Sequence, residues 1–158
     1  MDYFAHGLWS YILFSKTKKP LWAVFFGLLP DNLSWAIYFF YNLFTRNSFG
    51  KPMLDDIPDW VWTLYGISHS LVVFAAVLLI VYLIFKTVPI YIYAWPIEIV
   101  IDLFTHTKEF LPTPFLWPIS SYHFDGISWG SKWFMIVNYI LIVGCLGWIY
   151  FSKRKSKS

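Results

Sequence analysis

Six ionisable residues of this 158-residue chain stand inside stretches that are otherwise apolar: His6, Asp31, His69, Glu98, Asp102 and, near the end of its stretch, His106. An ionisable side chain at the centre of a bilayer costs about 2.5–3.5 kcal/mol even on a lenient insertion scale, so six of them require compensation. Glu98, Asp102 and His106 follow an i, i+4, i+8 spacing, which lines up two carboxylates and an imidazole along one helix face. Carboxylate and imidazole together suit zinc, manganese or iron, and a catalytic centre keeps one position open for water. A bound cation also neutralises buried acids that otherwise take up protons or find cationic partners. Each residue has a plainer reading beside this one. His6 or His69 alone is the kind of group that bridges two helices by a hydrogen bond, and Asp31, following Pro30, can cap a helix that restarts.

The elements that must carry these residues are helices in lipid. Of the chain, 58% is hydrophobic, 23% aromatic and only 13% charged, against about 25% charged in an ordinary soluble domain. A spanning helix needs about 20 mostly apolar residues. Four stretches qualify, near 20–44, 60–85, 88–106 and 132–151, and a shorter apolar helix near 4–15 precedes them. The expected fold class is therefore all-α and polytopic, a single membrane domain over 1–151 followed by a basic cytoplasmic tail at 152–158. Residues 107–131, rich in Pro, Ser and aromatics, read as a partly embedded loop. The N-terminus has neither a basic region nor a small-residue cleavage site, so residues 1–15 are expected to belong to the mature chain.

Helix rise sets approximate depths. Counted from one side at about 1.5 Å per residue, His6, Asp31 and Glu98 share a level about 15 Å deep, with Asp102, His69 and His106 at about 21, 26 and 27 Å. Independent structural roles do not predict a common band of depth, which favours one cavity. Threading four spans alternately puts Lys16, Lys18, Lys19, Lys86, Lys153, Arg154, Lys155 and Lys157 on one side and Arg46, Lys51, Lys108 and Lys132 on the other. Short cytoplasmic loops carry the excess of Lys and Arg, so the C-terminus is expected in the cytoplasm.

The net charge is only +3, and the cations sit at helix ends rather than along a face, so nucleic acid is not an expected partner. The lipid bilayer is. Cys145, the one cysteine, lies in an apolar run and reads as a small packed residue. His123 reads as a surface or interfacial residue of the loop. Trp60, Trp62, Trp95, Trp117, Trp129 and Trp148 read as interfacial anchors.

The order of His6-Gly7, Gly27-Leu28-Leu29-Pro30-Asp31, Gly66-Ile67-Ser68-His69-Ser70, Asp102-Leu103-Phe104-Thr105-His106 and Leu116-Trp117-Pro118 resembles the bacterial inner-membrane family of membrane-bound metal-dependent hydrolases. The resemblance runs from about residue 5 to 130. It implies a metal held by His6, Asp31, His69 and Asp102 and a hydrolytic activity on a poorly defined substrate. Two departures are visible. Family members often continue Pro-Asp with a second Asp and a His, where this chain has Asn32-Leu33-Ser34, and often have a His at the position of Glu98. Glu98 can still ligate a metal, but Leu33 and Ser34 cannot replace the lost pair, which weighs against a two-metal site.

The leading expectation is thus a hydrolase of a phosphoester or lipid-linked substrate, using a divalent metal, zinc first and manganese or iron as alternatives. Glu98 and His106 are then the candidate general base and acid, and Ser68, Ser70 and Thr105 supporting hydroxyls. The alternative is a non-catalytic, metal-stabilised scaffold or accessory subunit of a membrane complex. A third class, a transporter, is disfavoured by four spans without an internal repeat.

Overall fold

The computed structural model describes residues 1–45 and 54–155, and these contain helices, turns and no strand. Arg46, Lys51, Pro52 and Lys157 of the loop and charge reading lie outside the described residues. Helix α1 spans Tyr3–Leu13, capped by Asp2, whose carboxylate accepts from the Ala5 N–H at 3.0 Å. The same carboxylate oxygen accepts from the Tyr139 hydroxyl at 2.8 Å, which ties the start of α1 to the C-terminal helix.

Helix α2 runs Pro20–Thr45, long and apolar enough to cross a membrane. Pro20 occupies the first turn, where its missing N–H costs nothing. Pro30 is a different matter, since within a helix it removes one donor and crowds the preceding turn. The helix accommodates it with an irregular residue at Leu28 and a π turn at Asn32–Ala36, directly after Asp31. Such turns frequently mark functional sites because they rotate the side chains on either side. Helices α1 and α2 approach closely: a Cβ on Gly27 would overlap the Ser10 side chain, so only glycine fits there.

The expected 60–85 span is broken. Helix α3, Asp59–Ser68, and helix α4, Leu71–Phe85, meet at 57°. His69 ends the first, and Ser70 caps the second by accepting from the N–H groups of Val72 and Val73 at 3.1 and 3.2 Å. The 88–106 stretch also departs from a single long helix. After Pro89 it makes a 3-10 turn, Ile90–Tyr93, and then helix α5, Ala94–Thr105. Twelve residues rise only about 18 Å, less than the roughly 30 Å hydrocarbon core. Helix α6, Lys132–Lys155, continues past the expected end at 151 through the start of the basic tail, and it too is of membrane length. Two helices therefore qualify as spans by length and composition, three if the bent pair is one span.

The segment between α5 and α6 has no regular element and folds back on the end of α5. The N–H groups of Ile127, Gly126 and Trp129 donate to the carbonyls of Phe104, His106 and Thr105 at 2.9, 2.8 and 3.0 Å, satisfying the last acceptors of the helix. Gly126 is needed for this approach, because a Cβ there would overlap the Phe104 and His106 carbonyls. The apolar core lies on both sides of α5, with Phe74, Ile92, Trp95 and Ile99 in one cluster and Met1, Ala5 and Ile142 in another.

Candidate metal centre

Helix α5 is amphipathic in an unusual sense. Its buried residues, Ala94, Trp95, Glu98, Ile99, Asp102 and Thr105, share one face, so both acids point inward, while Val100 and Phe104 are exposed. Opposite that face stand His6, from the middle of α1, and His69, from the break between α3 and α4. Asp31 enters from α2 just before its π turn.

The four elements converge. His6 Nε2 lies 2.8 Å from Asp102 Oδ1 and 3.9 Å from Glu98 Oε1. His69 Nε2 lies 3.3 Å from Glu98 Oε1, 3.6 Å from Asp31 Oδ1 and 3.9 Å from Asp102 Oδ2. Two ligand triads result, His6 with Asp31 and Glu98, and His69 with Glu98 and Asp102, each with its ligand atoms within 4.8 Å of one another. Two atoms about 2.0–2.2 Å from one tetrahedral ion stand about 3.3 Å apart, and the observed separations bracket that value. His6, His69, Glu98 and Asp102 are at most 1% exposed, and the Asp31 side chain is 14% exposed.

The donor atoms themselves fit an ion. Both ring nitrogens of His6, Nε2 of His69 and both carboxylate oxygens of Glu98 are buried without an aligned hydrogen bond. His6 Nε2 and Asp102 are close in distance but not in hydrogen-bond alignment. An unpaired buried polar atom costs about 1–3 kcal/mol, more when charged, and of these His6 Nε2, His69 Nε2 and Glu98 Oε1 lie within 3.9 Å of a neighbouring ligand atom, where one ion could serve them together. Buried His, Asp and Glu groups here could hold a metal ion.

The remaining contacts orient the cluster. Ser68 Oγ lies 2.9 Å from His69 Nδ1, leaving Nε2 to face the acids. The Tyr65 ring packs 4.1 Å from that of His69. The break carrying His69 is held by neighbours on every side. Trp95 donates its indole N–H to the Ser68 carbonyl at 2.7 Å, Ser70 donates to the Trp117 carbonyl, and the Leu71 N–H donates to Phe115 at 2.9 Å. The Trp117 ring lies against Gly66.

His106 sits at the margin. Its Nδ1 is 3.6 Å from Asp102 Oδ2, 3.3 Å from Thr113 Oγ1 and 3.4 Å from the Tyr65 hydroxyl, which itself donates to the Leu111 carbonyl at 3.2 Å. The Met1 nitrogen contacts Asp102, Thr105 Oγ1 at 2.8 Å and His106 Nε2 at 3.3 Å. From this margin a cavity of about 200 Å³ opens outward, its wall including Asp31, Trp35, His106, Leu111 and Trp129. His106 and Asp31 thus face both the cluster and the way in.

The six residues singled out in the sequence meet at one place, but not at the expected levels. Glu98 and His69, set about 11 Å apart by counting residues, are in contact, because the bend at His69–Ser70 and the 3-10 entry to α5 invalidate a uniform rise along straight helices. Glu98 belongs to both ligand triads rather than standing apart from them. Trp95, Trp117 and Trp129, read as interfacial anchors, have contacts within the fold, at the break, at the end of α5 and in the cavity wall, and Trp95 is buried. Tyr65 and Thr113 were not singled out. Tyr65 lies four residues before His69 on one helix face, a spacing that could have flagged it; Thr113, in an irregular loop, carries no such signal. His123 is half-buried in that loop, with Nδ1 3.4 Å from the Thr113 carbonyl.

Comparison with known proteins brings no match, whether to a family model, a curated protein or a solved structure. The class is defined by the molecule itself: an all-helical chain with membrane-length helices and a buried His/Asp/Glu cluster able to hold a metal ion.

Proposed function

We propose that this chain is a membrane-embedded, metal-dependent hydrolase of a phosphoester or lipid-linked substrate, its ion held by His6, Asp31, His69 and Asp102, with Glu98 a fifth donor rather than the general base. The observation that carries the reading is the convergence of His, Asp and Glu donor atoms from four separate elements, those of His6, His69 and Glu98 buried without a hydrogen-bond partner. Zinc is the first choice for this mixed nitrogen and oxygen set, with manganese or iron as alternatives. A divalent ion there supplies Lewis-acid polarisation of an ester oxygen and activation of water. His106, in contact with Asp102, Thr113 and Tyr65 and lining the cavity, is the group placed to hold or pass a proton. The order of the sequence motifs resembles that of the inner-membrane hydrolases, which agrees with the same reading.

The membrane arrangement belongs to this proposal. Helix α2, the bent pair α3 and α4, and α6 cross the bilayer. If α4 ends and α6 begins on opposite sides, residues 86–131 must cross as well, and α5 with its 3-10 entry makes that fourth crossing inside the other helices. The majority of Lys and Arg then places the C-terminus in the cytoplasm, at a bacterial inner membrane.

A second reading is favoured by one observation: four of the donor residues are almost wholly buried, as in structural metal sites, which are closed. That reading is a metal-stabilised scaffold. Metal content measured by mass spectrometry on protein purified without chelator separates the cases. The expected result is about one equivalent of metal in the wild type, lost in His69→Ala, together with metal-dependent release of phosphate from a diacylglycerol phosphate. Metal without turnover leaves the scaffold; no metal, even when supplied, removes both.

A further inference from the structure

We propose a binding site for one anionic phospholipid at the opposite end of α1 from the metal centre's cavity, built around Tyr11. This goes beyond the function proposed above and shares with it only the reading that α2 and α6 cross a membrane. Helix α1 lies between the start of α2 and the end of α6, and its last turn is flanked by a groove on each side. One, about 510 Å³, has Tyr11, Lys18, Lys19, Leu21 and Trp22 in its wall. The other, about 530 Å³, has Tyr11, Leu146, Ile149, Tyr150, Lys153 and Arg154. Tyr11 is the residue common to both, and the Lys153 ammonium stands 5.7 Å from its ring centre.

Two properties specify the occupant. The first is charge. Lys18, Lys19, Lys153 and Arg154 form no ion pair with a carboxylate among the described residues, and no Asp or Glu lies in the sequence between Asp2 and Asp31 or beyond Asp125. The cations are exposed, so the complement they lack is an anion from outside the chain. The second is the apolar wall beneath them. Leu21 and Trp22 are 73% and 51% exposed and Tyr150 is 62% exposed, an aromatic and aliphatic surface directly under a basic rim. Aromatic rings at headgroup level with Lys and Arg just beyond are the pattern of a membrane interface. Basic pockets between membrane helices take up anionic headgroups. A soluble phosphate would use the rim alone; a phospholipid uses rim and grooves together, its phosphate over Tyr11 and its chains along the apolar walls.

The test uses the full chain in detergent, titrated with phosphatidylglycerol or phosphatidylcholine and read by native mass spectrometry. One phosphatidylglycerol should bind the wild type at least tenfold more tightly than phosphatidylcholine. The fourfold variant Lys18→Gln, Lys19→Gln, Lys153→Gln, Arg154→Gln should lose that preference, since each basic group near an anionic headgroup contributes severalfold in affinity. The variant Lys18→Arg, Lys19→Arg, Lys153→Arg should keep it, and Lys108→Gln with Lys132→Gln, which removes charge elsewhere, should keep it too. The proposal is overturned if the wild type does not discriminate between the two lipids, if the distant pair of substitutions abolishes the preference as fully, or if the Arg variant loses it. It is equally overturned if glycerophosphoglycerol, the headgroup without chains, competes as well as the lipid.

Discussion

Helices α5 and α6 follow one another in the chain and solve opposite problems. Helix α6 has 24 residues and buries only Asn138 and Ile142, while Trp133, Ile140, Val143 and Trp148 are each well over half exposed. Its polar seam is short: Trp9 donates to Asn138 at 2.9 Å, and Tyr139 reaches Asp2. Helix α5 has half as many residues and buries six, two of them acids. An apolar helix can face lipid on nearly every side, so length and composition suffice for it. A helix carrying Glu98 and Asp102 on its inner face cannot, and it is tolerable only because α1, α2 and the α3–α4 break supply partners.

The largest expected effect follows from removing the most connected acid. Asp102 meets His6, His69, His106 and the Met1 nitrogen at once. Asp102→Ala leaves those groups buried beside a void, and breaking a buried charged set in this way costs about 3–5 kcal/mol. The variant should lose its metal and unfold at a markedly lower temperature in detergent. A loss under about 1 kcal/mol by thermal or denaturant unfolding would mean that the polar face of α5 is not what draws the four elements together.

Next in size is the same kind of change made on α6. Val143, near the middle of that helix, is 67% exposed. Val143→Asp should reduce insertion of α6 by about 2.5–3.5 kcal/mol in a translocon insertion assay, whereas Val143→Leu should be close to neutral. If Val143→Asp inserts as well as the wild type, α6 does not face lipid, and the contrast with α5 disappears.

This contrast also explains what could be read in advance. The boundaries of α1 and α6 follow from apolar run length and flanking charge, and both lie within a few residues of expectation. The gathering of His6, Asp31, His69, Glu98 and Asp102 was legible because each is out of place in its own stretch. What was not legible is how they meet. Asp59–Ser68 and Leu71–Phe85 join without Gly or Pro, so nothing in the apolar pattern announces a 57° break. Its only local sign is Ser70, a good N-cap in the wrong place for a continuous helix. Pro30 and Pro89 did carry warnings, of the π turn and the 3-10 entry respectively. Hydropathy likewise cannot tell a tryptophan at a lipid headgroup from one whose N–H closes a broken helix, and Trp95 is the second kind.

That distinction supplies the smallest and sharpest test, one substitution made in both regions. Trp95 is 6% exposed and donates to the Ser68 carbonyl, the acceptor left open where α3 stops one residue before His69. Trp95→Phe keeps an aromatic ring in the cluster with Phe74 and Ile99 but leaves that carbonyl unpaired, a cost of about 1–3 kcal/mol. For a chain of this size that is a fall of roughly 2–4 °C per kcal/mol in the unfolding midpoint. Because Ser68 also sets the ring of His69, metal affinity should weaken in the same variant, by about tenfold or more. Trp148, 76% exposed on α6, has no such duty, so Trp148→Phe should change neither quantity. Equal effects from the two substitutions would place Trp95 back among the interfacial anchors. A fall in stability without a change in metal affinity would separate the packing of the break from the aim of His69.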